Sequence, residues 1–336
     1  MTFVEVVMKV AIVGATGLVG RKIISEIDRI GLDIDEFYLF ATEKSSGTVI
    51  PVNGKSYEVK PLSPDAVNGL KADFALFSAG KDVSRAYAKL FIKNGATVID
   101  NSAAFRMDGN VPLVVPEVNP EDVTACRKLI ANPNCSTIQA MLAIKPIEDA
   151  FGVERVVYVT FQAVSGAGNG GIEDLKNGFF GIPSKKLPKN IYSDCIPQID
   201  SFSDEGYTLE EWKMINETRK ILHRPDMKIT ATCVRVPVFN CHSESVNLKL
   251  KKPFDIKDVA AVLKAAKGVK YYEGDSYPTA ADADGQAIVH IGRLRKDFSE
   301  ENSLNFWCVA DNLLKGAATN AVQILELIIK RQNSTK

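Results

Sequence analysis

The stretch Gly14-Ala15-Thr16-Gly17-Leu18-Val19-Gly20 constrains this chain more than any other. It follows at once on the apolar, β-branched run Val6 to Val13. After it, Ile23, Ile24, Ile27 and Ile30 recur at helical spacing. Strand, glycine turn and helix in that order bring backbone N–H groups close to a pyrophosphate and point a helix N-terminus at it. A glycine turn can also serve geometry alone. The position of this one, between a strand and a helix near the start of the chain, favours nucleotide binding.

The same alternation continues. Phe37–Ala41 reads as a strand, Phe74–Ser78 as another, then a helix to about Asn94, then Thr97–Asp100. Strands alternating with helices predict an α/β, doubly wound parallel sheet of Rossmann type. After about Ala150 the character changes. Arg155–Phe161 is a strand, and Val246, Leu248 and Leu250 alternate with Asn247, Lys249 and Lys251, as in a sheet wet on one face. Further strands are expected at Ile229–Val236, Ala287–Leu294 and Asn305–Val309. Together they predict a second, α+β domain with a mixed or antiparallel sheet. Gly178–Tyr207 has no periodicity and reads as a long functional or interface loop. Ala317–Ile329 is an amphipathic helix placed to cover the first domain. With 336 residues, two domains are expected: residues 1–134 completed by 315–336, and residues 135–314.

Composition excludes some partners. Lys plus Arg equals Asp plus Glu at 41 each, so no global charge draws the chain to nucleic acid or an anionic membrane. Cys126, Cys135, Cys195, Cys233, Cys241 and Cys308 show neither C-x-x-C nor clustered Cys/His spacing, which argues against a zinc site. Their scatter suggests reduced thiols in the cytoplasm. The N-terminus does not read as a signal peptide, and no apolar run is long enough for a membrane span.

The candidate reactive group is Cys135, in Asn132-Pro133-Asn134-Cys135-Ser136-Thr137, although a lone cysteine at such a turn is more often structural than catalytic. Pro133 disfavours helix before it, and Ser136 and Thr137 suit a helix start. The sulfur is therefore expected at a helix N-terminus, which favours the thiolate. Of three histidines, His242 lies in a turn between two predicted strands, where a neutral imidazole near a thiol can exchange protons near neutrality. Arg235, in the same segment, suits a carboxylate or phosphate. Gln162 to Gly168 ends a strand in small residues that a ligand can approach closely. Arg106 and Lys213 are further cations. After the second predicted strand, Lys44 with Thr42 and Ser45 offers a phosphate cradle for NADP, whereas Glu43 offers a ribose ligand for NAD; the reading leans to NADP.

Gly14–Gly20, Asn132–Ser136, Gln162–Gly168, Ile196–Asp200, Glu211–Thr218, Arg235–Ser245 and Gly316–Ala318, in this order, resemble the aspartate-semialdehyde dehydrogenase family. The resemblance runs from about Lys9 to the C-terminal helix. It implies a fold like that of glyceraldehyde-3-phosphate dehydrogenase, with a catalytic and dimerisation domain after the nucleotide-binding one, and a homodimer or dimer of dimers. It implies Cys135 as nucleophile, His242 as general acid/base and Gln162 as the residue positioning the reacting group. Arg235 would take the substrate carboxylate, with Glu211 near the amino group, Arg106 and Lys213 on phosphate, and Asn134 at the substrate. Cofactor contacts are implied at Gly14, Thr16, Gly17, Leu18, Val19, Thr42, Lys44, Ser45, Ser78, Gly80, Ser165 and Gly166, with Asn312 near the nicotinamide. Lys44 replaces the family's usual arginine, Asn169 stands where a basic residue is common, and the seven residues before Met8 look like an extension. The implied reaction is NADPH-dependent reduction of 4-phospho-L-aspartate to L-aspartate 4-semialdehyde in lysine, threonine and methionine biosynthesis. The alternatives are a sister acyl-CoA or N-acetylglutamyl phosphate reductase, a non-catalytic nucleotide-binding relative, and a cysteine hydrolase.

Overall fold

The computed structural model describes residues 8–334 except Asn53 and Ala125. The expected extension before Met8, and the start of the first strand at Val6, lie outside the described residues. The chain divides into two compact units. One runs to Pro133 and resumes at Ala317, and the other is Asn134–Gly316. The breaks fall a residue or two away from 134/135 and 314/315. Asn134 is bonded entirely within the second unit, and Gly316 packs on Cys135 there.

In the first unit the elements are β1 (Lys9–Val13), α1 (Leu18–Ile30), β2 (Glu36–Ala41), β3 (Val49–Val52), β4 (Lys55–Pro61), α2 (Pro64–Val67), β5 (Phe74–Phe77), α3 (Lys81–Lys93), β6 (Thr97–Asp100) and β7 (Leu129–Ala131). They form a sheet of order β3-β4-β2-β1-β5-β6-β7, parallel except for the β3–β4 hairpin. Strand β1 is buried on both faces, as a parallel strand must be. Val10 and Ile12 pack with Ile23, Ile24 and Ile27 of α1, while Ala11 and Val13 pack with Phe77, Ala88 and Phe91 on the other side. The C-terminal helix, numbered last in the chain (Thr319–Ser334), adds Ala321, Val322 and Leu325 to the α1 face. Thr319 Oγ1 donates to Glu26 Oε2 at 2.6 Å, and Asn320 Nδ2 to Asn132 Oδ1 at 2.7 Å. The strand order reverses between β1 and β5, which is where a doubly wound sheet takes a ligand at its carboxyl ends.

The second unit holds α4 (Cys135–Phe151), β8 (Val153–Gln162), α5 (Asn169–Gly178), α6 (Leu209–Ile221), β9 (Lys228–Arg235), β10 (His242–Leu250), α7 (Ile256–Ala265), β11 (Val269–Tyr271), α8 (Ala280–Ala283), β12 (Val289–Lys296) and β13 (Ser303–Ala310). The C-terminal helix is thus α9. The sheet order is β11-β12-β13-β10-β8-β9, with β8–β9 and β11–β12 parallel and the rest antiparallel, hence a mixed sheet. Strand β10 alternates buried and half-buried residues, and the buried set His242, Glu244, Val246, Leu248 and Leu250 shares one face. The Gly178–Tyr207 stretch is irregular but anchored. The Asp174 carboxylate accepts the N–H groups of Lys185, Lys186 and Leu187 at 2.7–2.8 Å.

Candidate active site

Cys135 is the first residue of α4, but the cap is Asn134 rather than Ser136 or Thr137. The N–H groups of Ser136 and Thr137 donate to Asn134 Oδ1 at 3.0 and 3.3 Å. Asn134 Nδ2 donates to Glu210 Oε1 at 2.8 Å, and its backbone N–H to Glu217 Oε2 at 2.6 Å. Its polar side chain is committed to the helix cap and to Glu210, and what it does is fix the turn that carries Cys135.

Glu210 is the acid that the sequence reading missed. It is buried, and its Oε1 also accepts from Gln162 Nε2 at 3.2 Å. Its Oε2 takes the Lys213 ammonium at 3.0 Å. Burial opposes its charge, but Lys213, Asn134 and Arg235 together hold the carboxyl down at about 2. Burial likewise opposes the Lys213 charge, and Glu210 and Asp200 raise it well above the ordinary range. Asp200 Oδ2 stands 3.0 Å from the same ammonium. The neighbouring Glu211, expected near the substrate amino group, makes different contacts from Glu210. It closes a capping box with Thr208, whose N–H it accepts at 2.7 Å, and it also accepts from the Cys233 N–H at 2.9 Å. The spacing of Glu210 to Lys213, three residues on one helix face, was the available signal.

His242 opens β10 rather than lying in the turn. The turn is Cys241, held at φ +73 with its N–H on Asn312 Oδ1 at 2.9 Å. This is a strained conformation for a side-chain-bearing residue, and Asn312 supports it. Asn312 and Ser165 bond each other, and Ser165 Oγ also donates to Asn240 Oδ1 at 3.0 Å. The His242 ring is fully buried. Its Nδ1 accepts the Ala163 N–H at 3.0 Å, so the neutral ring carries its proton on Nε2, which has no hydrogen-bond partner. Burial and then the Arg235 charge hold the imidazole down at about 3. Arg235 Nη1 donates to Ala163 O at 2.6 Å, and its charge interacts with the Cys135 thiol. Gly166 completes the group. A Cβ there would lie 2.9 Å from Arg235 Nη1 and 3.2 Å from His242 Nε2. The absent side chain lets the guanidinium and the imidazole pack directly against the glycine backbone. Cys135, Gln162, Gly166, Lys213, Arg235 and His242 thus belong to one constellation, organised around Glu210.

In the first unit the glycine turn fits a pyrophosphate. Gly14 has φ +90, and a Cβ there would meet Ser78 O at 2.7 Å. A Cβ at Gly20 would meet Gly14 O at 2.1 Å. Only glycine lets the turn, the Ser78–Gly80 segment and the start of α1 approach this closely. The cap residue Gly17 offers no side chain, so the first N–H groups of α1, those of Leu18, Val19 and Gly20, lack a helical acceptor. Thr16 Oγ1 donates to Ser45 Oγ at 3.3 Å, which places the Thr42–Ser45 segment beside the turn. Glu43 and Lys44 are both exposed there. Arg106 is buried in this unit, donating to Asn132 O at 2.9 Å and Asn101 O at 2.7 Å.

The chain matches the semialdehyde dehydrogenase NAD-binding domain over residues 9–126 and the semialdehyde dehydrogenase dimerisation domain over 144–315. It is 50% identical to the aspartate-semialdehyde dehydrogenase of Aquifex aeolicus, over 96% of this chain and 98% of that one. It is 44% identical to that of Bacillus subtilis, over 96% and 98%. Among solved structures, aspartate semialdehyde dehydrogenase II from Vibrio cholerae superposes with a TM-score of 0.93 at 44% identity, over 96% of this chain and 99% of that chain. The same Vibrio enzyme complexed with ASA gives a TM-score of 0.93 at 43% identity, over 96% and 98%.

Proposed function

This chain belongs to the aspartate-semialdehyde dehydrogenase family, and from that premise we propose that its Cys135 carries the acyl group between aspartyl phosphate and aspartate semialdehyde. The family activity, an NAD(P)-linked oxidoreduction in amino-acid biosynthesis, belongs to the chain as a whole. The observation that carries the assignment of residues is the close packing at Gly166. There the unpartnered His242 Nε2–H and the Arg235 guanidinium lie against the same glycine, and the Arg235 charge acts on the Cys135 thiol.

In the biosynthetic direction the Cys135 thiolate attacks the acyl phosphate carbon and phosphate leaves, giving a thioester. Reduction of this thioester needs a hydride, which a bound nicotinamide cofactor would supply. The resulting thiohemiacetal breaks its C–S bond, releasing the aldehyde and restoring the thiolate. A thiolate splits one hard step into two easier ones. At each tetrahedral stage the oxygen carries charge, and the His242 Nε2–H is the preorganised donor that meets it. Arg235, planar and buried, takes the substrate carboxylate on its fork. Glu210 keeps Lys213, Gln162 and Asn134 in fixed positions, and its charge suits a substrate amino group. Lys213 and Arg106 are assigned to phosphate. In the first unit the glycine turn and the first N–H groups of α1 would hold the cofactor pyrophosphate, with Thr42, Lys44 and Ser45 on a 2′-phosphate. We assign NADP on Lys44 and these hydroxyls. The residues 135–314, which carry the family's dimerisation domain, are assigned catalysis and a homodimer contact; no helix among the described residues is long and apolar enough to cross a membrane.

The test follows nicotinamide absorbance with L-aspartate 4-semialdehyde and phosphate, comparing NADP with NAD. Phosphate-dependent reduction of NADP is expected, and Cys135→Ala should abolish it while leaving NADP binding intact. Turnover by the alanine variant above a small fraction of wild type would remove Cys135 from the nucleophile role.

A further inference from the structure

Beneath the first turn of α4 lies a set of polar side chains that this chemistry does not use. Glu244 stands two residues after His242 on the same face of β10. It is fully buried, and neither carboxyl oxygen has a hydrogen-bond partner. Ser136 Oγ and Gln139 Oε1, three residues apart on α4, are buried and unpartnered as well. Ser136 is the polar group that acts on the Glu244 carboxyl, without closing to a normal hydrogen bond. Gln139 Nε2 donates to the His242 carbonyl at 3.3 Å. The cluster therefore joins the two elements that carry Cys135 and His242.

Counting protons decides its state. If Glu244 were ionised, a bare charge would be buried with no hydrogen bond to either oxygen. If Glu244 is a neutral acid, its own O–H is a donor for the buried Ser136 Oγ. Burial, the dominant influence on this carboxyl, pushes it well above the usual range.

We propose that Glu244, as an uncharged acid, is a positioning residue for the Cys135 thiol: it donates to Ser136 Oγ in the first turn of α4, and Gln139 Nε2, one turn on, ties the same helix to the His242 carbonyl. The network fixes the rotation of the first α4 turn against the start of β10. It does so without placing a negative charge under a thiolate, which a like charge would disfavour. This rests on the assignment of Cys135 as nucleophile, and the two are tested separately.

The experiment compares Glu244→Gln and Glu244→Met in the full chain. Glutamine donates through its amide as the acid does; methionine matches the length without a donor. Two quantities are read. One is kcat/KM for the semialdehyde, and the other is the rate at which iodoacetamide alkylates Cys135. The second is followed on the Cys135 peptide by mass spectrometry, because Cys126 and Cys195 are exposed too. Glu244→Gln should stay within about threefold of wild type in both, whereas Glu244→Met should lose at least about tenfold in both. Wild-type behaviour of Glu244→Met overturns the proposal. So does a Glu244→Gln enzyme as impaired as Glu244→Met, since the ionisable group would then matter rather than the donor. Should Glu244→Met fail to fold, Gln139→Met breaks the next link, and wild-type alkylation there overturns the proposal equally. The alkylation readout does not depend on turnover, so a failure of Cys135 as nucleophile shows in Cys135→Ala and not in these variants.

Discussion

Gly316 lies so close to Cys135 that a Cβ on the glycine would stand 2.9 Å from the Cys135 Cβ and 3.3 Å from its Cα. Neither side can yield easily. The Gly316 N–H is bonded to Asp311 O at 3.1 Å, and Asp311 Oδ1 holds the N–H groups of Leu313 and Leu314. On the other side Asn134 pins the first turn of α4. Gly316→Ala should therefore displace the thiol rather than the segment that bears the alanine. A shift of about 1 Å at a reacting atom costs up to about a hundredfold in rate. We expect kcat to fall by at least about tenfold, with KM for the semialdehyde within about twofold of wild type. Steady-state kinetics decide it; an unchanged kcat would mean that α4 and its neighbour absorb the methyl.

Two adjacent glutamates make opposite predictions. Glu210→Gln removes the charge that Lys213 faces inside the site, so activity should fall by about tenfold or more, with Lys213 left short of a partner. Glu211→Gln weakens the capping box and the bond to the Cys233 N–H, so thermal stability should drop by about 1–2 kcal/mol while KM stays close to wild type. Melting curves and KM for the semialdehyde, measured on both, separate the roles. A KM effect confined to Glu211→Gln would reverse them.

The His242 ring predicts a pH dependence of stability. Its ordinary value of 6.5 falls to about 3 in the fold, because burial and then Arg235 disfavour the imidazolium. Between those limits the unfolded chain binds a proton that the folded chain refuses. The contribution is thus complete above 6.5 and declines as pH falls towards 3, by about 1.4 kcal/mol per unit. His242→Asn removes this titration. From its ordinary value of 6.5 down to about pH 5, where Glu210 with its value near 2 does not yet respond, wild type should lose about 2 kcal/mol more than the variant in urea unfolding. Parallel slopes would show that the imidazole titrates normally.

The large architecture was legible because it is written in local periodicity. The β1 run, the glycine turn and the α1 isoleucines name themselves, and the alternation through Val246, Leu248 and Leu250 marks a sheet with one drier face. Cys135 at a helix start was legible from Pro133 onward. What local periodicity leaves open is phase. Whether Glu210 or Glu211 faces inward depends on where α6 begins, and Thr208 sets that through a cap only the fold reveals. The same holds at α4, where Ser136 and Thr137 read as the helix start and Asn134 does the capping. The Gly178–Tyr207 stretch lacks periodicity because its order comes from Asp174, a single carboxylate gathering three backbone N–H groups from eleven to thirteen residues away. No composition or spacing rule encodes that. Glu244 shares the parity of Val246, Leu248 and Leu250, but the apolar alternation begins only at Val246, so an acid ahead of it is not marked as buried until the strand is seen to start at His242.

On the proposed assignment, Lys44 carries the choice of cofactor. It sits one residue before Ser45, which receives the Thr16 hydroxyl beside the glycine turn, and it is exposed, as a ligand for a charged ribose phosphate must be before binding. Glu43, its neighbour, is exposed too and would repel a 2′-phosphate while accepting a ribose hydroxyl. The two residues therefore pull in opposite directions, and single substitutions read each pull. Lys44→Ala should raise KM for NADPH by about tenfold and leave KM for NADH unchanged. Glu43→Ala should do the reverse, lowering KM for NADPH or raising it for NADH. Because an exposed charge contact is screened by salt, the wild-type KM for NADPH should also climb with ionic strength, and this dependence should flatten in Lys44→Ala. If the alanine variant loses both cofactors alike, Lys44 supports the fold of the segment. If it loses neither, the 2′-phosphate is held elsewhere and the hydroxyls of Thr42 and Ser45 become the next substitutions to make.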